Sequence, residues 1–131
     1  MTTAIICTAV LAALVFLLGF NVSRLRGVTG KAGGSQLPTD PTSPLLIAIR
    51  AHGNAAEYVP TLIILFLIVG LRSPEWIAIP LIVGGTLSRL LHAVGLLTAK
   101  TLASPTPWRL LGAMGTYVFG VLLAVATAFT L

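Results

Sequence analysis

Four apolar runs, each about as long as a bilayer crossing, constrain this chain more than any other feature of it. A membrane-spanning helix needs about 20 predominantly apolar residues. The runs cover about 3–22, 44–71, 74–99 and 107–131 of the 131 residues, which leaves no room for a separate soluble domain. Only 8% of the residues are charged and 56% are hydrophobic, whereas a soluble globular protein carries about 25% charged residues. The expected fold class is therefore an all-α integral membrane protein, with four transmembrane helices bundled into one domain over 1–131. No basic residue precedes the first run and no small-residue cleavage site follows it, so it reads as a retained helix and not a removed signal peptide.

The net charge of +5 would suggest nucleic acid in a soluble protein, but here its distribution decides. Arg24, Arg26 and Lys31 fall in the first loop, and Lys100 and Arg109 lie in or beside the third. With four spans these two loops share one membrane face, and the opposite face offers only Arg72, next to Glu75. By the positive-inside rule the basic loops are cytoplasmic and both termini lie outside. A basic strip suits anionic membrane lipid, not nucleic acid. The stretch 24–43 is rich in Gly, Ser, Thr and Pro and reads as an irregular cytoplasmic loop. Ser43-Pro44 and Ser73-Pro74 each pair a capping hydroxyl with a proline in the first turn, the signature of a helix start. Pro60 should kink the second helix.

The chemistry is concentrated in Arg50-Ala51-His52-Gly53-Asn54-Ala55-Ala56-Glu57-Tyr58-Val59-Pro60, at the head of the second span. At about 100° per residue, Arg50, Asn54, Glu57 and Tyr58 fall on one stripe of a helix, and His52 points away from it. An ionisable residue at the bilayer centre costs about 2.5–3.5 kcal/mol on insertion scales. A stripe bearing both signs should face protein or a water-filled cavity. The third span carries a second polar group, Arg89 and His92, three apart and on one helix face. At about 1.5 Å of rise per residue, Arg50 lies about 8 Å and Glu57 about 18 Å below the cytoplasmic face, with His92 about 12 Å and Arg89 about 16 Å down. Glu57 and Arg89 are thus expected to pair. Subtracting them leaves a cationic residue set of Arg50 and Arg109 with Asn54, Tyr58 and His92, joined by Arg24 or Arg26. Such a set suits a small, anionic, peptide-like ligand, because an arginine fork binds both oxygens of a carboxylate.

Other chemistries are weakly supported. No zinc-ligand spacing, phosphate-cradling glycine loop or nucleophilic serine elbow occurs, so no metal is expected. Cys7 is the one cysteine and reads as a packing residue. In the fourth span Gly112, Thr116, Gly120, Ala124 and Ala128 recur every four residues, a small-residue stripe that predicts a tight helix–helix contact.

With Arg50, Asn54, Glu57, Tyr58 and Pro60 on the second of four helices, and Arg89 and His92 on the third, the chain resembles the MAPEG family, membrane-associated proteins in eicosanoid and glutathione metabolism. The likeness covers essentially the whole sequence and is greatest to the small bacterial inner-membrane branch. It implies a homotrimer of four-helix bundles, with sites between neighbouring protomers near the cytoplasmic face. It implies glutathione as co-substrate, bound by residues matching Arg50, Asn54, Glu57, Tyr58, Arg89 and His92. The resemblance also implies a thiolate-stabilising arginine at the start of helix four, for which Arg109 is the nearest match. An acid at the end of helix one would be Arg24 or Arg26. The activity implied is a glutathione-dependent transferase or peroxidase acting on apolar electrophiles. Gly53 stands where some members carry a second basic residue, and Leu96 where several have tyrosine. Those departures motivate an alternative, a non-catalytic binder of lipid or a small anion on the same scaffold. A small exporter with Glu57 as proton-coupled site is a third reading.

Overall fold

The structure, a computed structural model, describes residues 1–130. It consists of four helices: α1 (Thr2–Lys31), α2 (Pro44–Arg72), α3 (Glu75–Leu97) and α4 (Pro107–Ala128), and no strand occurs among the described residues. Each is long and apolar enough to cross a membrane. The α2–α3 hairpin is the centre of the molecule. α3 packs most closely on α4, α1 packs on α2, both α1·α3 and α2·α4 touch, and α1 and α4 do not meet. The core runs along the hairpin, with Leu11, Ala55, Phe66, Val69 and Leu123 fully enclosed.

Two helix starts follow their local signals. The Ser43 hydroxyl accepts the Leu46 N–H at 3.4 Å, and the Thr106 hydroxyl accepts the Arg109 N–H at 3.3 Å, each just ahead of a proline. The expected cap at Ser73 does not form: Pro74 is the N-cap of α3 and supplies no side-chain bond. The acid in that first turn is Glu75, placed where a negative charge meets the helix dipole. α2 remains helical through Pro60.

α1 departs from expectation. It continues to Lys31 and takes in residues 24–31 of the stretch read as irregular. At 30 residues it is about 45 Å long, well beyond a hydrocarbon core of about 30 Å, so its basic last turns stand clear of the apolar layer. Its end is a Schellman motif: the Gly34 N–H reaches Thr29 O at 2.9 Å and the Gly33 N–H reaches Gly30 O at 3.0 Å. Gly33 has φ +71, a conformation that favours glycine. The helix runs on through Gly27 and Gly30 and ends at Gly33, the one glycine among the described residues that turns left-handed, and not where apolar residues run out.

The small-residue stripe of α4 also behaves differently. Gly112 and Thr116 are buried against α3, but Ala124 and Ala128 are exposed and a Cβ on Gly120 would meet nothing within 4 Å. A four-residue step advances 400° around the helix, so the stripe drifts by about 40° at each step. The residues that stay in contact within the protomer are Gly112, Thr116, Phe119 and Leu123, spaced four, three and four.

The third loop is tied to the first by a backbone bond from the Leu102 N–H to Pro41 O at 2.9 Å. The two basic loops therefore lie on one side of the bundle, as the two helices between them require.

Candidate functional site

Close approach of α3 and α4 makes the site. A Cβ on Gly95 would collide with the backbone of Trp108 and Arg109, and one on Gly112 with the backbone of His92. Glycine at both positions brings the end of α3 against the start of α4. The Thr106 hydroxyl fastens the crossing, donating to Gly95 O at 3.1 Å while it caps α4. Behind it, His92 Nδ1 lies 2.8 Å from the backbone carbonyl of Arg109. A carbonyl can only accept, so Nδ1 carries a proton.

Beside this crossing a cleft of about 510 Å³ opens between α2, α3 and α4. Its polar lining is Arg50 and Asn54 from α2, His92 from α3, and Arg109 and Tyr117 from α4, with Leu46, Leu96, Leu102 and Leu110 among its apolar walls. No carboxylate lines it. The Arg109 side chain is half-buried, with Nη1 donating to Leu102 O at 3.4 Å, so the third loop holds it at the rim. A cleft with two guanidiniums and an amide, and with no acid among the described residues, presents donors to an anion; with Nδ1 donating to Arg109 O, a neutral His92 has only the acceptor Nε2 left. No group of three His, Cys, Asp or Glu suited to a metal ion occurs among the described residues.

Beneath the cleft lies Arg89. It is 1% exposed and does not line the cleft. Its Nη2 donates to Asn54 Oδ1 at 2.8 Å and its Nη1 to the Thr116 hydroxyl at 3.4 Å, and its guanidinium sits 5.3 Å from the centroid of the Tyr58 ring. Its Nε is buried without a partner. The Tyr58 ring is 5.9 Å from that of Tyr117, and the two hydroxyls are 3.4 Å apart.

The expected Glu57–Arg89 pair does not form within the protomer. Depth was matched but azimuth was not. Asn54 and Tyr58, one turn apart, occupy the strip of α2 that faces Arg89, whereas Glu57 is turned about 60° past Asn54 on the other side. Glu57 is exposed on the protomer surface.

Of the residues singled out in the sequence, Arg50, Asn54, His92 and Arg109 meet in one cleft, Tyr58 and Arg89 support it from behind, and Glu57 and Arg24 do not reach it. Arg24 is exposed, donates to Asn21 Oδ1 at 2.9 Å, and shares a separate groove with Lys100. Arg26 lies with Ser23 and His52 in a groove of about 480 Å³ between α1 and α2. There the imidazole of His52 slots against Gly19, where a Cβ would come within 3.2 Å of its Nε2. Tyr117 and Thr116 were missed. Tyr117 lies eight residues after Arg109 and about 80° further round α4, so helix spacing alone did not place it in the cleft.

A sequence model of the MAPEG family matches residues 4–129. No curated protein sequence matches the chain. With four bilayer-length helices and a family match over nearly every residue, the chain is an integral, multi-pass membrane protein that belongs to the MAPEG family.

Proposed function

We propose that the cleft binds glutathione and ionises its thiol for attack on apolar electrophiles drawn from the bilayer. The observation that carries this reading is the carboxylate-free lining of Arg50, Asn54, His92 and Arg109 at the basic-loop end of the bundle, in a family that includes glutathione-dependent transferases and peroxidases. Glutathione offers two carboxylates and a thiol. Arg50 and the Asn54 amide suit a carboxylate. Arg109, on the α4 wall, is the cation left for the sulfur. A free thiol near pKa 8.5 is mostly protonated at neutral pH, and an adjacent positive charge lowers that value. The thiolate then forms the S–C bond, the leaving group departs with the bonding pair, and the thiol proton has already gone to solvent. The protein supplies positioning and charge stabilisation, and the leucine walls favour an apolar co-substrate.

The assembly in this reading is a homotrimer with the basic loops in the cytoplasm of a bacterial inner membrane. A second copy would cover the open side of the cleft, shield the mid-membrane carboxylate of Glu57 from lipid, and bring in the α1–α2 groove with Arg26, or Arg24 beside it, as a further cationic wall. Purified protein should perturb the thiol of glutathione, seen as thiolate ultraviolet absorbance at neutral pH, and should conjugate a chlorodinitrobenzene-type electrophile. Absence of both at millimolar glutathione would overturn the proposal.

One observation favours a second reading. Leu96, one of the two departures from the family pattern, lines the cleft together with Leu46, Leu102 and Leu110. A cationic cleft with such apolar walls also suits an amphipathic anion such as a lipid. Co-purified lipid in the cleft together with an unreactive thiol would select this non-catalytic alternative.

A further inference from the structure

Among the described residues Arg89 is a buried cation with no carboxylate partner, and it does not line the cleft. Its one short hydrogen bond goes to Asn54. A guanidinium has five donors and no acceptor, so the Asn54 atom 2.8 Å from Nη2 is the carbonyl oxygen. The other polar atom of that side chain, Nδ2, makes no hydrogen bond to protein and is not among the buried atoms left without a partner, while Asn54 itself lines the cleft. The structure assigns to Arg89 the role of a positioning residue: by holding the carbonyl of Asn54 it turns the NH2 group into the cleft, so that this side chain presents a donor and not an acceptor to an incoming anion.

The logic is one of sign. A neutral asparagine free to rotate presents either face of its amide, and the acceptor face would repel a carboxylate. Arg89 removes that freedom from behind, without spending one of its own donors on the ligand. The Tyr58 ring over its guanidinium and the Thr116 hydroxyl on its Nη1 keep the group in place. The inference explains why a cation is kept at this depth although no acid pairs with it. It extends the glutathione reading by giving Asn54 a fixed polarity, but two of its three tests need no ligand.

The decisive variant is Asn54→Asp. It gives Arg89 an ionic partner while it places an acceptor in the cleft. Without ligand, in detergent, Asn54→Asp should unfold at a temperature no lower than wild type, and the Asn54→Asp, Arg89→Gln double variant should lose that advantage. A less stable Asn54→Asp, or additive effects in the cycle, would overturn the pairing. In isotope-labelled wild type the side-chain NH2 of Asn54 should exchange with water as an exposed amide does, and strong protection would overturn the orientation. With glutathione as probe, Asn54→Asp should weaken binding about tenfold to a hundredfold. Arg89→Gln should weaken it as well although it lies outside the cleft, and Arg89→Lys, which restores a cationic donor, should recover most of the affinity. Wild-type affinity in Arg89→Gln would refute the positioning role. If wild type binds no glutathione, the proposed function fails, and the stability cycle and the amide exchange still decide the inference.

Discussion

Gly112→Ala, read beside Gly120→Ala, tests the helix crossing on which the cleft depends. Both change a hydrogen to a methyl in the same helix. At Gly112 the new Cβ would lie 2.6 Å from the Cα and 2.7 Å from the Cβ of His92, with the backbone nitrogen closer still. Ordinary carbon contacts need about 3.5–4.0 Å, so α3 and α4 must separate by about 1 Å, and the obstacle is backbone that cannot swing away. Overpacking of this kind costs about 1–3 kcal/mol. The separation also stretches the 2.8 Å bond from His92 Nδ1 to Arg109 O, worth about 0.5–1.5 kcal/mol. The expected loss is about 2–4 kcal/mol. At Gly120 the same methyl meets nothing within 4 Å, and the gain in helix propensity over glycine, up to about 1 kcal/mol, makes the change neutral or stabilising. Thermal unfolding of the two variants in one detergent, followed by far-ultraviolet circular dichroism, gives the comparison. Equal losses at the two sites would refute the claim that Gly112 faces α3 at close range while Gly120 does not. An unaffected Gly112→Ala would refute the crossing itself.

Arg50→Gln should weaken glutathione binding about tenfold to a hundredfold, the loss of a charge-assisted bond, by calorimetric titration, and leave the unfolding temperature close to wild type because Arg50 is exposed. Gly33→Ala forces a side chain into a left-handed conformation, φ +71, at about 1–2 kcal/mol, so hydrogen exchange should speed up in the last turn of α1 and not in its membrane part. Asp40, in the first loop, accepts the Thr42 N–H at 2.8 Å and the Thr42 hydroxyl at 2.8 Å, and these bonds, the backbone one foremost, hold its carboxyl below the ordinary value. A carboxyl lowered in the folded state stabilises above its unfolded pKa, about 3.9, and loses that contribution as pH falls through the folded value. The stability difference between wild type and Asp40→Asn should therefore be constant at neutral pH and shrink only in the acid range below about 4; a difference that changes between pH 6 and 8 would contradict this.

The helices and much of the candidate site were legible in the sequence because the signals that place them are local. Ser43 and Thr106 cap the helices they precede, and hydropathy locates the spans to within a few residues except at the end of α1. That exception has a local cause too, since a left-handed Gly33 ends the helix and its conformation is not written in composition. Arg50, Asn54 and His92 could be gathered because spacing on a helix sets both depth and face.

What the linear order of residues settled for this protein is how many helices it has, where along its helix each polar group sits, and which groups share a helix face. What only the packed molecule decided is which of those faces meet. Glu57 and Arg89 stand at one depth, yet rotation of α2 about its axis delivers Asn54 and Tyr58 to the guanidinium and leaves the acid outside. The choice of rotation comes from the packing of α2 on α1 and α3, where His52 meets Gly19, Gly70 meets Ala4 and Phe66 meets Gly85, and no periodicity within a single helix carries that information.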